Sequence, residues 1–524
     1  MVDLPCGRLI PSGGTVPGMD ASTSPVRRRR RTYSIALIGA VVLSAGAIAV
    51  EGAMSDPAPP PNRVFIFTGH GFGHGVGLSQ WGARKGAQEG LDAAAILKHY
   101  YSGVDITTHE PADIRVKLIE DVAEVTLAHE GTWSVTHDGT LTVTRSPTFR
   151  ITREGDEIVA TGASETATFR SSSELTFRAL TPIGVDGRRY RGTIRVVPTA
   201  NGVDVINTVP IESYLRSVVS REMSPDWADD AAEALRAQAI VARTYALASR
   251  TPSREFDVMD DQRSQVYGGV TDEDPRTDAA VTATKGEVVT YEGRLITTYY
   301  SASSGGHTED GDRVFPAGEP QPYLAGVPDP YDADAPLHTW GSPPVFTADE
   351  LRDRLDVALP IRSIDILERG ASPRVFRARV NLIPFGSREL TGSAVRASLG
   401  LPDTWFTILL RTTGDDGGPA ALPEDAARSD VWLTVLNGGT LRGAARDLAD
   451  TAEERGYVGV GAGNAPTHTG TSTVYFAPGS EAAAERVAED LAIPGPVVPL
   501  AEAHGLTEAP KAANVVVVIG AGAP

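Results

Sequence analysis

The chain has 524 residues, of which 41% are hydrophobic, and its formal net charge at pH 7 is −19. This length is ample for several buried cores, whereas the acidic balance argues against nucleic-acid binding and against simple electrostatic attraction to an anionic polymer. The only cysteine, Cys6, stands near the amino end, which excludes an intramolecular disulfide.

The amino-terminal region predicts a membrane segment. Residues 27–31 are all arginine, and residues 32–50 carry no charge. A helix of that length spans roughly 28 Å, close to the ~30 Å hydrocarbon core of a bilayer. We therefore expect residues 1–31 to be a cytoplasmic leader and 32–50 to be one transmembrane helix of a cell-membrane protein, with the bulk of the chain extracellular. A cleaved signal, which would make the protein secreted, is the alternative, and residues 51–63 form a linker.

A glycine-rich segment comes next. Five glycines between Gly69 and Gly77 exclude a stable helix, so His70 and His74 are predicted to lie on an irregular loop. We interpret this loop as the lining of a cleft; the alternative is that both histidines are structural and bonded to the backbone. Two histidines are too few for a zinc site. The following segment, 79–101, predicts a helix.

Residues 113–197 contain short β-rich runs that alternate with Asp-Gly and Glu-Gly turns. This alternation predicts an antiparallel β meander.

The stretch from Val209 to Leu247 predicts two helices around a turn at residues 224–227. Pro210 suits the first turn of a helix, and Thr208 is the expected N-cap.

Glu222 is the anomaly of the first of these helices. It falls on the same helical stripe as Ile211, Leu215 and Val218. Desolvation on that stripe would raise the pKa of the carboxyl, which is what a general acid needs near neutral pH. The alternative is that Glu222 bends to water at the helix end or pairs with an arginine.

The second helix is predicted to be buried almost all round. Gln238 and Tyr245 lie seven residues apart and share one line along it, and Arg236 and Arg243 share a second. Polar side chains in register suit a groove for a hydroxyl-rich ligand. The alternative is an internal salt-bridge network that includes Glu233.

Residues 303–307 read Ser-Ser-Gly-Gly-His at the end of a strand-like run, 294–303. Such small residues let backbone N–H groups approach a ligand. A purely structural tight turn is the alternative.

The carboxyl-terminal part predicts a separate small domain. Residues 413–428 are a linker rich in Gly, Asp and Pro, and residues 429–524 alternate strand and helix before a buried last strand. The predicted fold class is therefore α+β. It comprises a mixed domain over residues 64–412, with the meander and the buried helix pair, followed by a small α/β domain and preceded by one transmembrane helix.

Several blocks of the chain resemble one family. They are YLRSVVSREM with EALRAQAIVARTYAL, SQVYGGV, YYSASSGGHTED, PYLAGVPDPYD and, near the amino end, GHGFGHGVGLSQWGARKGAQEG. Together they resemble the sporulation stage II protein D / amidase-enhancer domain over roughly residues 64–412. The blocks VLNGG, RGAA and VYFAPG resemble the LytR C-terminal domain, for which wall or partner binding is a guess by association.

The first resemblance implies an enzyme, a peptidoglycan lytic transglycosylase with Glu222 as its catalytic acid and then base. It also implies glycan strands as the partner, with candidate glycan contacts at Gln238, Arg243, Tyr245, Tyr300, Ser303, Ser304, His307, His70, His74 and Gln80. The alternative that the family name implies is a non-catalytic wall-binding enhancer of a cell-wall amidase.

One departure from the family concerns metal. Some relatives carry two cysteines in a zinc-binding segment, at the positions where this chain has Met259 and Ser264. Neither residue is a usual zinc ligand, so we expect no metal and no cofactor.

Overall fold

The computed structural model describes residues 63–163, 167–316, 321–341, 343–412, 421–441, 443–457, 460–465, 467–503 and 513–521. The predicted leader (1–31) and transmembrane segment (32–50), with nearly all of the first linker, lie outside these residues. Among the helices that are described, none is long and apolar enough to cross a membrane. The mixed α+β class is confirmed.

The described residues form helices of 4 to 17 residues. In chain order they are α1 (Gln80–Gln88), α2 (Ala93–Tyr100), α3 (Ile211–Glu222), α4 (Ala232–Ala248), α5 (Pro275–Ala283), α6 (Gly311–Val314), α7 (Ala348–Arg354), α8 (Gly392–Leu399), α9 (Ala444–Glu454) and α10 (Glu481–Asp490).

Strands occur throughout the same ranges. Those up to the helix pair are β1 (Arg63–Gly69), β2 (Leu78–Ser79), β3 (Asp105–Thr108), β4 (Asp113–Val122), β5 (Glu124–Ala128), β6 (Thr132–His137), β7 (Thr140–Arg145), β8 (Thr148–Glu154), β9 (Glu157–Gly162), β10 (Thr168–Ser171), β11 (Leu175–Arg178), β12 (Ile183–Val185), β13 (Arg188–Tyr190), β14 (Thr193–Pro198) and β15 (Val203–Pro210). Those after it are β16 (Val258–Met259), β17 (Glu287–Tyr291), β18 (Arg294–Leu295), β19 (Tyr300–Ser301), β20 (Val345–Thr347), β21 (Ile361–Arg369), β22 (Val375–Leu382), β23 (Ser387–Thr391), β24 (Phe406–Thr412), β25 (Leu433–Asn437), β26 (Gly461–Asn464), β27 (Thr473–Phe476), β28 (Val497–Pro499) and β29 (Val515–Ile519).

The predicted β meander is antiparallel, as expected, but it is divided between two sheets. One has the order β10-β9-β8-β5-β12-β13, and the other has the order β16-β4-β15-β14-β11-β6-β7. Alternating side chains of both sheets and the apolar face of α3 share one buried cluster, which includes Trp133, Phe149, Phe177 and Leu215. This core anchors α3, the helix that ends at Glu222.

The predicted helix pair is present as α3 and α4, but its first cap is not the predicted one. Thr208 lies inside β15, opposite Thr193 of β14, because β15 continues in register to Pro210. Pro210 itself is the N-cap of α3 and makes no side-chain capping bond.

The helix predicted over 79–101 is two helices. Ser79 caps α1 by accepting the Gly82 N–H, and the carboxylate of Asp92 caps α2 by accepting the Ala95 N–H at 2.7 Å. Gly90 has φ of 96° between them, a conformation that ends the first helix.

The strand-like run 294–303 is also shorter than predicted. It forms β18 and β19 with an unpaired interval between them. Strand β19 pairs in parallel with β2, so Tyr300 lies opposite Leu78 and Ser301 opposite Ser79. This pairing joins the amino-terminal block to the Ser-Ser-Gly-Gly-His block.

The carboxyl-terminal α/β domain matches its prediction closely. Its sheet has the order β26-β25-β29-β27-β28, and α9 and α10 pack on it around a core that includes Leu433 and Val517. The predicted buried last strand is β29, in which every side chain is buried.

The glycine-rich loop encloses a buried ion pair. Arg374 donates to both carboxylate oxygens of Asp403 at 2.9 Å and to the carbonyls of Ser304 and His307. A Cβ on Gly75 would come within 2.1 Å of its guanidinium carbon, so only glycine fits there.

Substitution of this arginine should be far more costly than that of an exposed one. Arg374→Ala leaves the fully buried Asp403 charge unpaired, so we expect the free energy of unfolding to fall by about 3–5 kcal/mol. The control is Arg377→Ala, which removes an exposed pair with Glu368 and should cost less than about 1 kcal/mol. Urea unfolding measures both losses, and equal losses would contradict the assignment.

Candidate active site around Glu222

Glu222 is the last residue of α3 and is partly buried. Desolvation by the surrounding protein raises the pKa of its carboxyl above the ordinary glutamate value. Hydrogen bonds from Tyr300, from the Val266 N–H and from Gln80, together with the charge of Arg221, oppose that rise. Since burial is the larger effect, Glu222 keeps its proton to a higher pH than a solvated glutamate.

A chain of hydrogen bonds points toward this carboxyl. The Tyr214 hydroxyl donates to Gln265 Oε1 at 3.1 Å, and Gln265 Nε2 donates to the Tyr300 hydroxyl at 3.0 Å. The Tyr300 hydroxyl thereby keeps its own proton for Glu222. Burial raises the pKa of both tyrosines well above the usual range, so they remain donors.

Three of the predicted site residues therefore lie together. Gln80 Nε2 is 3.5 Å from Glu222 Oε2, and Tyr300 bonds the same carboxyl, although the three residues belong to α1, α3 and β19. The β2–β19 pairing explains the convergence, because it places Tyr300 beside the start of α1. Their catalytic and binding roles stay predictions.

Tyr299, the neighbour of Tyr300 in the chain, is partly exposed and contacts two other partly exposed aromatic side chains. Tyr299 stacks on Phe315 with ring centroids 4.3 Å apart, and the Tyr245 ring meets Tyr299 edge-on at 6.2 Å. We call Tyr245, Tyr299 and Phe315 the aromatic strip. An exposed strip of this kind suits the apolar faces of sugar rings.

Ser303 and Ser304 lie inside the protein, and their role as glycan contacts stays a prediction. Both side chains are buried, and their hydroxyls form hydrogen bonds inside the protein. Ser303 donates to Asp332 at 2.7 Å, and Ser304 donates to Asp329 at 2.8 Å. Asp332 also accepts the backbone N–H groups of Ser304 and Gly305. The backbone groups of this block therefore hold an internal carboxylate, which is the structural turn that the sequence left as the alternative.

Arg243 is likewise structural. It is fully buried and forms a two-pronged bond with Glu212, at 2.9 and 2.8 Å, and its remaining N–H groups reach backbone carbonyls. With all donors used, no group is left for a glycan. Gln238 is fully buried too, and neither atom of its amide has a partner within the described part of the chain.

The histidines are mostly internal. Burial lowers the pKa of His70 to about 4 and that of His74 to about 3, so both are neutral at pH 7. His74 Nδ1 accepts the Val76 N–H at 3.0 Å, and its ring contacts the aromatic strip from behind. The backbone-bonded alternative therefore describes His74, while His307 keeps a partly exposed ring with Nδ1 at 2.6 Å from its neighbour's carbonyl.

The segment that carries Gln265 is fixed by hydrogen bonds. Ser264 Oγ accepts the Met259 N–H at 3.1 Å and also bonds Tyr245. Upstream, the Arg115 side chain bonds both oxygens of Asp257. Within the described ranges no group of three or more His, Cys, Asp or Glu side chains could hold a metal ion; the expected absence of metal stays a prediction.

Sequence reasoning missed four residues of this site: Tyr214, Gln265, Tyr299 and Phe315. The block SQVYGGV was the available signal for Gln265, since it resembled the family, but no periodicity gave that residue a role. Tyr299 lies within the strand-like run, but Phe315 belongs to a later segment, and the two rings meet only through packing that a helical or strand pattern does not reveal.

Two family models match parts of the chain. Residues 199–291 match the family described as Stage II sporulation protein, and residues 430–522 match the family described as LytR cell envelope-related transcriptional attenuator. The first match contains Glu222 and Gln265, whereas Gln80 and Tyr300 lie outside it.

Three curated relatives are informative. The chain is 30% identical over 249 residues to the stage II sporulation protein D of Bacillus subtilis, covering 42% of the chain and 68% of that protein. It is 37% identical over 233 residues to an uncharacterized protein of Brachyspira hyodysenteriae, covering 43% of the chain and 60% of that protein. It is 37% identical over 152 residues to the amidase enhancer of Bacillus subtilis, covering 29% of the chain and only 20% of the enhancer. The chain belongs to the stage II sporulation protein D family.

The raised pKa of Glu222 has a consequence for stability. A carboxyl whose folded-state pKa exceeds its unfolded value stabilises the fold only when protonated; that contribution is present below the unfolded pKa and is lost as the pH rises through the folded pKa. Glu222→Gln should therefore raise the free energy of unfolding at pH 7, by on the order of 1 kcal/mol. Denaturant unfolding at pH 7 and pH 3.5 checks this, because the gain should shrink at the lower pH. The exposed Asp229→Asn variant is the control, and a gain of equal size there would count against a special environment for Glu222.

Proposed function

We propose that this protein is a membrane-anchored extracellular lytic transglycosylase that cleaves the bond between MurNAc and GlcNAc in peptidoglycan. The observation that carries the proposal is the convergence of Tyr300, Gln80 and the Val266 N–H on one desolvated carboxyl, Glu222. A raised pKa lets Glu222 keep its proton to a higher pH than a solvated glutamate, which favours a general acid. The membership of a cell-wall-related family supports the choice of substrate.

The chemistry needs one carboxyl used twice. Glu222 donates its proton to the glycosidic oxygen, the bond to C1 of MurNAc breaks, and positive charge develops at that carbon. The resulting carboxylate then accepts the proton of the same sugar's C6 hydroxyl while O6 bonds to C1, which closes a 1,6-anhydro ring and restores the acid. The Tyr300 hydroxyl and the Gln80 amide stabilise the carboxylate between the two transfers.

Asp260 is the residue that a hydrolytic alternative would use. Burial and the neighbouring Asp261 raise the pKa of Asp260 to about 6. The charges of Asp260 and Glu222 both raise the pKa of Tyr214. Neither carboxyl is a main cause of the other's pKa shift. Ordinary glycoside hydrolysis needs a pair of carboxyls, so Asp260 provides a direct test between the two reactions.

The proposed location rests on residues 27–50, where an arginine cluster precedes an uncharged stretch long enough for a transmembrane helix. The membrane would then hold the active domain close to the wall.

Digestion of purified peptidoglycan tests the activity. Full-length protein should release fragments with 1,6-anhydro-MurNAc ends, detected by mass spectrometry with and without prior amidase treatment. Glu222→Gln should abolish them, a loss of at least about 10³-fold, whereas Asp260→Asn should retain them. Reducing MurNAc ends that depend on Asp260 would contradict the proposal in favour of hydrolysis.

The second candidate function is a non-catalytic enhancer of an amidase, which the named relative favours. It predicts that native protein and Glu222→Gln release no anhydro product and raise the activity of an added cell-wall amidase equally. The same digestion therefore separates the two candidates.

Glycan binding can be measured apart from cleavage. Because the chain is acidic, we propose that sugar recognition uses hydrogen bonds and stacking on the aromatic strip. In a Glu222→Gln background, Phe315→Ala should weaken cosedimentation with insoluble peptidoglycan about tenfold, or 1.4 kcal/mol. The matched control is Phe385→Ala, an aromatic residue that is 78% exposed and lies on a hairpin outside the strip. Equal weakening by both variants would argue against the strip.

A further inference from the structure

We infer that the carboxyl-terminal domain is a working part of the site, because Arg446 of α9 positions Gln80, and through it Glu222, by way of the segment 335–339 and Asp332. The inference rests on the proposed function for its catalytic consequence. It assigns to this domain a role other than the wall or partner binding suggested by association.

The first step is the contact between the domains. Arg446 Nη1 donates to the Ala335 carbonyl at 3.3 Å, and Nη2 donates to Thr339 Oγ1 at 3.2 Å. The guanidinium faces the carboxylates of Asp332 and Asp334, just before that segment, and of Asp447 and Asp450 on its own helix. Arg446 thus links the carboxyl-terminal domain to residues 335–339.

The two domains also pack closely against each other near this contact. Trp432 is buried against Val64 and Ile66 of β1. The backbones also meet closely, since a Cβ on Gly341 would lie 1.5 Å from the Ala462 carbonyl oxygen. The two domains thus also meet through packing elsewhere in the interface, and not only through the two Arg446 bonds.

The second step is Asp332, which is completely buried. Its carboxylate is 3.0 Å from His338 Nδ1, within the segment that Arg446 holds. The same carboxylate accepts the Ser79 hydroxyl at 2.8 Å and the Ser303 hydroxyl at 2.7 Å. A displacement of the 335–339 segment therefore reaches Ser79 through a single shared side chain.

The third step is the start of α1. Ser79 caps this helix by accepting the Gly82 N–H while it donates to Asp332. The next residue is Gln80, which is 4% exposed and donates to Glu222. The rotation of α1 about its first turn decides where the Gln80 amide points, so the Ser79–Asp332 bond sets the Gln80–Glu222 distance. Arg446 is accordingly a positioning residue.

Hydrogen exchange in the full-length protein tests the path without reference to catalysis. Arg446→Ala should speed amide exchange in the peptides that cover 79–88 and 300–308 by about tenfold or more, which corresponds to 1.4 kcal/mol. Thr339→Val removes the partner of the same bond from the other domain and should speed the same peptides. The control is Arg455→Ala, at the exposed end of α9, which should leave them unchanged.

A pH profile provides the catalytic readout. The Gln80 bond favours the charged form of Glu222, whose other neighbours are Tyr300, Tyr214 and Arg221. Loss of positioning should therefore raise the pKa of Glu222 and move the alkaline limb of the rate profile to higher pH in Arg446→Ala, as in Gln80→Ala. A merely structural defect would lower the rate at every pH and leave the limb in place.

The two proposals fail in different ways. If native protein makes no anhydro product but Arg446→Ala still speeds exchange at 79–88, the transglycosylase proposal fails and the positioning path stands. If exchange in 79–88 and 300–308 is unchanged in both Arg446→Ala and Thr339→Val, the positioning inference is overturned whatever the activity. If exchange becomes faster but the alkaline limb of the rate profile does not move, Arg446 has only a structural role. That outcome also overturns the positioning inference.

Discussion

The site depends on one buried carboxylate that is not the proposed catalytic one. Asp332 accepts hydrogen bonds from Ser79, from Ser303 and from two backbone N–H groups of the following turn, and it faces His338. These donors belong to three segments far apart in the chain. A buried charge costs little only when its donors are all in place, so Asp332 obliges the amino-terminal block, the Ser-Ser-Gly-Gly-His block and the 335–339 segment to keep one arrangement.

Asp332 and Glu222 show how the same chemical group acquires two roles. The Asp332 carboxylate is surrounded by donors and completely enclosed, which suits a structural purpose. Glu222 has fewer donors, keeps part of its surface in solvent, and has a pKa that desolvation raises. A proton can therefore enter and leave Glu222, and a substrate can reach it.

The elements that follow from local patterning were predictable. The helical period of 3.6 residues predicted the apolar stripe of α3 and the presence of the Glu222 carboxyl on that stripe. A run of consecutive valines predicted β29. The sequence did not predict element boundaries that depend on tertiary pairing. Thr208 belongs to β15 because this strand pairs with β14 at that position. Asp92 caps a second helix inside the segment that was predicted to be one helix.

Within the site, the sequence did not predict which residues would be the hydrogen-bond partners of the polar side chains. Ser303, Ser304 and Arg243 had the right chemistry for a ligand, but their hydrogen bonds are taken by Asp332, Asp329 and Glu212, which lie 25 to 31 residues away. No periodic pattern relates residues at such separations. Gln80 and Tyr300 were predicted as site residues from the family blocks, and their contact with Glu222 depends on the pairing of β2 with β19.

Hydrogen bonds hold the segment between Asp257 and Gln265, which includes Met259 and Ser264. The Arg115–Asp257 bonds fix one end of the segment to β4, and the Ser264 hydroxyl closes the turn on the Met259 N–H. This turn delivers Gln265 to Tyr300 and the Val266 N–H to Glu222. Hydrogen bonds from ordinary side chains thus account for the placement of two groups that act on the Glu222 carboxyl.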